Sequence, residues 1–208
     1  MSTPRVEVWW APSRPADELA LMPAERLRVS AHAWPHDVAS SAVLARLAVA
    51  DLLGTDPVDV VVGRRCPSCG STSHGVPTTA GAHVSITRAP GLVAVAVSTA
   101  GPVGLDVEPR RERLFPGFDD VALSPDETPP TVEERLRSWA RKEALLKACG
   151  LGLSIDPRDV VLDGPRVVSA PPQVGRADLH DVDPDGHVGA LAAPVGVGFV
   201  VRPTTLSA

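Results

Sequence analysis

The sequence predicts an α+β fold made of two similar halves, residues 1–102 and 103–208. A helical segment followed by several strand-like runs occurs twice along the chain, which is the main observation behind this prediction. The chain also has 22 Pro and 17 Gly among its 208 residues, and this composition indicates many turns and short elements. Aromatic residues are scarce at 3%, so we expect a core of Val, Leu and Ala.

The first half begins with an alternating strand, RVEVWW (residues 5–10). Its clearest helix covers residues 37–53, where Asp37 can cap the start and Gly54 follows the end. A loop rich in Gly, Cys and Pro covers residues 63–81. Further strands are predicted over residues 58–62, 83–86 and 92–98.

The second half opens on the strand VGLDVE (residues 103–108). Residues 109–130 are rich in Pro and Gly and predict a loop with a short helical turn. A helix follows over residues 132–149, with a capping box formed by Thr131 and Glu134 at its start. Antiparallel strands are predicted beyond it.

Composition and charge exclude several classes of protein. The net charge of -5 argues against a general affinity for nucleic acid. No apolar run approaches the roughly 20 residues that span a bilayer, and residues 1–10 lack the pattern of a signal peptide, so we expect a cytoplasmic protein without membrane attachment. Three cysteines in such a chain favour free thiols over disulfides.

Asp106 and Glu108 form the first candidate site. They lie two residues apart in a strand, so both side chains should emerge on one face while Leu105 and Val107 face the core. One or two carboxylates together with water and substrate phosphates are the ligands that Mg²⁺ prefers. A solvated end of a strand is the alternative interpretation of the same pattern.

The second helix adds a stripe of three residues spaced by four, Trp139, Glu143 and Lys147. Glu143 and Lys147 alone would suit an exposed surface pair, but Trp139 on the same stripe favours a face that is at least partly buried. Brought to Asp106 and Glu108, this stripe would complete a site for magnesium and a pyrophosphate, with Lys147 stabilising the leaving group.

Two spaced motifs, VGLDVE (103–108) and WARKEALLKACG (139–150), resemble the signature of the 4'-phosphopantetheinyl transferases, of the type that activates surfactin synthetase. The loop GRRCPSCGSTSHGVP (63–77) and the strand HVSITRA (83–89) are similar to upstream segments of that family. The resemblance runs from about Gly63 to Leu153.

The resemblance implies two similar α+β halves with coenzyme A in the cleft between them, and transfer of phosphopantetheine to a serine of an acyl or peptidyl carrier protein. Asp106, Glu108 and Glu143 would hold Mg²⁺, and Glu143 or a water on the metal would deprotonate the serine. Lys147 would contact the phosphate and assist the leaving 3',5'-ADP. The remaining residues expected along the nucleotide are Arg64, His74, Gly75, Ser85 and Thr87. A monomer is expected, because two halves complete the cleft within one chain.

Three positions depart from the family pattern. Val76 and Ile86 replace a lysine and a histidine of the family, and Asp37 falls near a position that is often basic. The arginines available to replace the missing charges are Arg26, Arg28, Arg46, Arg64, Arg65 and Arg88. A relative that binds coenzyme A or carrier domains without catalysis is therefore the alternative function.

Two further features leave their interpretation open. Cys66 and Cys69 form a CxxC followed by His74, which fits either a zinc site with an unspecified fourth ligand or a Gly-rich turn with two small buried thiols. Residues 110–130, with Arg110, Arg111 and Phe115, are the surface where we expect the carrier to dock.

Overall fold

The computed structural model describes residues 4–206. Residues 1–3, part of the segment assessed for a signal peptide, and residues 207–208 lie outside this range. The chain divides into two compact units, one formed by Met1–Gly101 with Val197–Ala208 and the other by Pro102–Gly196. Each unit contains helices and β-sheet, so the fold is α+β. Within residues 4–206, no helix combines the length and the apolar character needed to cross a membrane.

The elements follow the predicted order for most of the chain. The helices of the described residues are α1 (Pro23–Ser30), α2 (Pro35–Leu53), α3 (Phe118–Ala122) and α4 (Val132–Ala148). The strands are β1 (Val6–Pro12), β2 (Gly63–Arg65), β3 (Val76–Thr78), β4 (His83–Ala89), β5 (Leu92–Ser98), β6 (Gly104–Pro109), β7 (Val161–Asp163), β8 (Arg166–Ser169), β9 (Asp178–Asp181), β10 (His187–Ala193) and β11 (Phe199–Pro203). The strands predicted over residues 5–10, 83–86, 92–98 and 103–108 and both predicted long helices are confirmed.

The first unit is built on a four-stranded sheet in the order β11-β1-β5-β4. β5 is antiparallel to both β1 and β4, while β11 joins β1 in parallel. The apolar face of α2 packs on this sheet, with Leu44 and Ala48 in one cluster with Val93 and Val95. Every residue of β5 is buried, which explains why its sequence is an almost unbroken apolar run.

The C-terminal strand β11 belongs to the first unit, although the sequence placed residues 103–208 together. Glu7 on β1 is 1% exposed, and Arg202 on β11 forms an ion pair with it at 3.0 Å. The Arg202 guanidinium also lies over the Trp9 ring, 5.4 Å from its centroid. A buried carboxylate is strongly destabilising without a partner, so this pair helps hold β11 in the sheet.

The strand predicted over residues 58–62 is wrong. A 3-10 turn forms at Pro57–Asp59, and the Asp56 side chain caps it by accepting a hydrogen bond from the Val58 N–H at 2.9 Å. Proline at the first position of the turn favours this conformation, and this local chemistry overrides the apolar pattern.

Asp37 does not cap the first long helix. α2 begins at Pro35, two residues earlier, which places Asp37 within its first turn. The Asp37 carboxylate instead accepts a hydrogen bond from the Ser13 hydroxyl at 2.5 Å.

The second unit has a three-stranded antiparallel sheet in the order β6-β10-β9, and β7 and β8 form a separate hairpin. α4 packs on the sheet, with Ala140 and Ala144 in one cluster with Ala190 on β10. The predicted capping box is confirmed, since Thr131 and Glu134 each accept a hydrogen bond from the other's backbone N–H. The short helical turn predicted between residues 109 and 130 corresponds to α3.

Candidate active site

Strand β6 lies directly against the last turns of α4, and Gly104 makes this close approach possible. A Cβ atom at Gly104 would lie 1.8 Å from the Ala144 carbonyl oxygen and 2.5 Å from the Ala148 nitrogen. No side chain fits between the two backbones. One consequence is that the ammonium of Lys147 donates a hydrogen bond to the Leu105 carbonyl at 3.2 Å.

Asp106 faces α4. Its cross-strand partner is Ala190, which packs with Ala144 of that helix, and cross-strand partners share one face of a sheet. Leu105 and Val107 are buried on the opposite face, as predicted. Asp106 is only 6% exposed, so the interpretation of this motif as a solvated strand end is wrong.

The helix stripe and the strand pair are in direct contact. The Lys147 ammonium donates to Asp106 Oδ1 at 2.6 Å, and the Trp139 indole donates to Glu108 Oε1 at 3.1 Å. Glu143 lies on α4 between Trp139 and Lys147 and is 8% exposed. The alternative of an exposed Glu143–Lys147 surface pair is therefore wrong.

Negative charge is crowded in this cluster. Burial raises the pKa of Glu143; Asp106 and Glu108 raise it further, while Lys147 opposes the shift. Burial also raises the pKa of Glu108, with a further contribution from Asp106 and opposition from the Trp139 hydrogen bond. Three carboxylates thus share one ammonium group in a largely buried place, which favours binding of a further cation.

The donor chemistry of these residues suits a divalent cation, although their carboxylate oxygens do not all lie within 4.8 Å of one another. Glu143 Oε1 is buried and has no hydrogen-bond partner among the residues that the structure describes. Buried acceptors are nearly always paired, so an orphaned carboxylate oxygen indicates a missing donor or ion. The cluster offers carboxylate oxygens and no sulfur, which is the donor set that suits Mg²⁺.

The segment that carries this cluster also matches a known family. Residues 102–181 match the family model of the 4'-phosphopantetheinyl transferase superfamily. This match supports the superfamily and a transferase activity in general, and it contains both the Asp106–Glu108 pair and the Trp139–Lys147 stripe. No curated protein matches the chain.

Outside the matched segment, the first unit contains a cluster of three arginines. Burial, together with the charges of Arg88 and Arg28, lowers the pKa of Arg64 to about 10. Arg28 donates to the Val62 carbonyl at 3.0 Å and Arg88 to the Ser41 hydroxyl at 2.8 Å, both neutral acceptors. Such a concentration of like charge favours an anionic ligand.

The structure reduces the number of arginines that are available to replace the missing basic residues. Arg46 is nearly buried and forms an ion pair with Glu25 at 3.0 Å, so its charge is already balanced by a carboxylate. Burial lowers the pKa of Arg88, the carboxylate of Asp37 raises it, and the charge of Arg28 lowers it. Asp37 therefore balances part of the positive charge of the arginine cluster.

The other predicted nucleotide contacts lie on β4 and on the loop after β2. Ser85 and Thr87 are 4% and 6% exposed and alternate with residues of the other face of β4. The Gly75 carbonyl accepts a hydrogen bond from Arg64 at 3.0 Å. His74 lies with its Nε2 atom 3.5 Å from the sulfur of Cys69. Their roles in binding a nucleotide stay predictions.

Lys142 is a residue whose role the sequence analysis missed. It lies within the matched motif, directly before Glu143, and is fully buried. Its ammonium donates to the Ala122 carbonyl at 2.9 Å and pairs with the Glu127 carboxylate. It thereby ties α4 to the segment after β6. Position 142 falls among buried positions of α4, and a lysine there signals a buried partner.

Proposed function

We propose that the protein transfers the 4'-phosphopantetheine group of coenzyme A to a serine of an apo acyl or peptidyl carrier protein. The products are the holo carrier and 3',5'-ADP, and the reaction requires Mg²⁺, as in transferases of the surfactin-synthetase-activating type. The observation that carries the proposal is the contact of Lys147 with Asp106 inside a buried cluster of three carboxylates, within the segment that matches the transferase superfamily.

Asp106, Glu108 and Glu143 would hold the cation. The chemistry that Mg²⁺ supplies when bound is neutralisation of charge on phosphoryl oxygens. The Lys147 side chain is 27% exposed, and its ammonium would donate to a phosphate oxygen and stabilise the charge on the leaving group. The proposal thus gives each charged member of the cluster a partner.

Glu143 is the proposed acceptor of the serine proton. The serine oxygen forms a bond to the phosphorus that carries the pantetheine arm, and the bond from that phosphorus to the 3',5'-ADP oxygen breaks. Burial and two neighbouring carboxylates raise the pKa of Glu143, which makes it a better base than an exposed glutamate.

Arg28, Arg64 and Arg88 are proposed to bind phosphate groups of coenzyme A. Their mutual repulsion would be relieved by a phosphate, and guanidinium groups match phosphate oxygens in pairs. They would replace the basic groups that Val76 and Ile86 lack. Ser85, Thr87, His74 and Gly75 are the further contacts proposed for the nucleotide.

The carrier is proposed to dock near α3. Phe115 is 55% exposed and lies at an open depression of about 310 Å³, and Arg111 and Arg113 beside it are exposed. Arg110 was expected to contribute but forms ion pairs with Glu133 and Asp183. We therefore assign the docking charge to Arg111 and Arg113.

Mass spectrometry of an apo carrier protein tests the proposal. The carrier, incubated with the protein, coenzyme A and Mg²⁺, should gain one phosphopantetheine group. Glu143→Gln should abolish the gain. Glu133→Gln, an exposed change on the same helix, should leave it unchanged.

A folded protein that modifies none of several carriers would contradict the transferase function. Coenzyme A binding in that case would favour the non-catalytic relative. The departures at Val76, Ile86 and Asp37 are the observations that keep this second candidate open.

A further inference from the structure

The loop between β2 and β3 brings three potential metal ligands together. The sulfur atoms of Cys66 and Cys69 and a ring nitrogen of His74 all lie within 4.8 Å of one another. Among residues 4–206, this is the one group of three or more such side chains with that spacing. Ligand atoms around a tetrahedral zinc ion lie roughly 3.5–4 Å apart, because Zn–S bonds are about 2.3 Å and Zn–N bonds about 2.0 Å.

The backbone of the loop is folded around Cys66. The Cys66 N–H donates to the Ser71 carbonyl at 2.8 Å, and the Gly70 N–H donates to the Cys66 carbonyl at 2.9 Å. Backbone N–H groups of Cys69 and Ser68 also donate to the Cys66 sulfur. The turn therefore holds the Cys66 sulfur in a fixed position beside Cys69.

His74 is oriented towards the cysteines. Its Nε2 atom lies 3.5 Å from the Cys69 sulfur, which is already the separation of two zinc ligands. Its Nδ1 atom lies 3.4 Å from the Ser73 hydroxyl, which in turn contacts the Ser71 hydroxyl at 2.9 Å. A partner on the second ring nitrogen is typical of metal-binding histidines, because it fixes the ring.

Gly75 allows the histidine to come this close. Its φ angle is +97°, and a Cβ atom there would lie 2.5 Å from both the nitrogen and the Cα atom of Cys66. A side chain at this position would push the chain that carries His74 away from the CxxC turn.

The alternative of two small buried thiols does not fit the structure. Cys69 is exposed and Cys66 only half-buried, so neither thiol is packed in a core. A Cys66–Cys69 disulfide would explain why the two sulfur atoms are close, but it would not explain why His74 faces them.

We propose that Cys66, Cys69 and His74 bind one Zn²⁺ ion through two thiolates and Nε2, with water in the fourth position. The zinc would join β2 to β3. Arg64 lies on β2 and donates to the carbonyl of Gly75, the residue after His74, so the ion also fixes the position of Arg64. The site needs neither coenzyme A nor Mg²⁺, and zinc on His74 would replace the contact with the nucleotide that is proposed above for this residue.

Metal analysis of the full chain tests this site. The reduced protein, stripped with a chelator and then titrated with Zn²⁺, should bind about one ion per chain tightly enough to survive gel filtration. Cys69→Ser should lose this zinc. Cys149→Ser, a matched change of a cysteine outside the loop, should retain it. Co²⁺ in place of Zn²⁺ should give the absorption of a tetrahedral thiolate site.

His74→Cys is a control for loss of zinc that results from misfolding. It keeps three ligands, so it should still bind zinc and should gain thiolate-to-cobalt absorption. Failure of the folded, reduced native protein to retain zinc would overturn the proposal. So would zinc retained by Cys69→Ser, or a thiol count showing that Cys66 and Cys69 remain a disulfide under mild reduction.

Discussion

The two lysines of α4 form the same kind of ion pair in two different surroundings. The chain carries 20 Lys and Arg residues, and only Lys142 and Lys147 are lysines. Lys142 is fully buried and its partner Glu127 is almost as buried, whereas Lys147 is 27% exposed and contacts Asp106. The buried ion pair of Lys142 and the partly exposed ion pair of Lys147 are therefore only five residues apart on one helix.

The difference lies in how completely each carboxylate is satisfied. Glu127 accepts hydrogen bonds from the backbone N–H groups of Ser124 and Leu162 as well as from Lys142, so one lysine balances one carboxylate. Lys147 faces Asp106 together with two further carboxylates whose pKa values are raised. The charge of Lys142 is therefore balanced within the fold, whereas the Lys147 cluster has an excess of negative charge.

Lys142→Met should have the largest effect on stability. It leaves the Glu127 carboxylate buried without its cation, and breaking such a pair costs about 3–5 kcal/mol. Urea unfolding should show this loss. The double variant Lys142→Met/Glu127→Gln should recover part of it, because glutamine keeps an oxygen for the backbone donors. A single variant as stable as the native protein would show that the pair contributes nothing.

Lys147→Met should act on catalysis instead. Loss of one charged group that stabilises a leaving phosphate lowers the rate by roughly 100-fold, equivalent to about 2.7 kcal/mol. The measurement is kcat/KM for carrier modification, with circular dichroism to establish folding. Lys147→Arg should recover only part of the rate, because a planar guanidinium does not reproduce a compact ammonium. Full activity in Lys147→Met would remove this residue from the mechanism.

Glu143→Gln should stabilise the metal-free protein at neutral pH. The pKa values of Glu143 and Glu108 are raised on folding, so the folded state binds more protons than the unfolded state between the ordinary and the raised values. The contribution of these two groups to native stability should therefore be largest below the ordinary carboxyl pKa and fall as the pH rises through the raised values.

The variant should flatten this fall and gain about 1 kcal/mol, or roughly 2–4 °C in melting temperature. Melting curves at about pH 5 and about pH 8 with and without Mg²⁺ measure both effects. The native protein should gain stability from Mg²⁺ mainly at the higher pH. An equal response of native protein and variant to Mg²⁺ would remove Glu143 from the metal site.

Amine labelling should distinguish the two lysines directly. A lysine-specific reagent followed by peptide mass spectrometry should modify Lys147 and leave the fully buried Lys142 unmodified in the folded chain. Mg²⁺ with coenzyme A should slow labelling of Lys147 several-fold, as a bound phosphate would shield its ammonium. Equal labelling of both residues would contradict the difference in burial.

Local signals predicted the elements that carry the site. The capping box at Thr131 fixed the start of α4, and alternation in VGLDVE predicted β6 with Asp106 and Glu108 on one face. The contact of Lys147 with Asp106 could be predicted only from the two motifs taken together, with their order and spacing. The Lys142–Glu127 pair and the return of β11 to β1 depend on residues far apart in sequence, and no local pattern encodes such pairings.

The absence of a side chain at Gly104 has a consequence for ion selectivity. We expect the separation of β6 and α4 to set the gap between the carboxylate of Asp106 on the strand and that of Glu143 on the helix. Mg²⁺ requires oxygens at about 2.0–2.1 Å, whereas Ca²⁺ accepts about 2.3–2.6 Å. A methyl group at Gly104 would meet the Ala144 carbonyl at 1.8 Å and force the helix outward. In the proposed Mg²⁺ site, the absence of a side chain at Gly104 would therefore keep the strand and the helix close together.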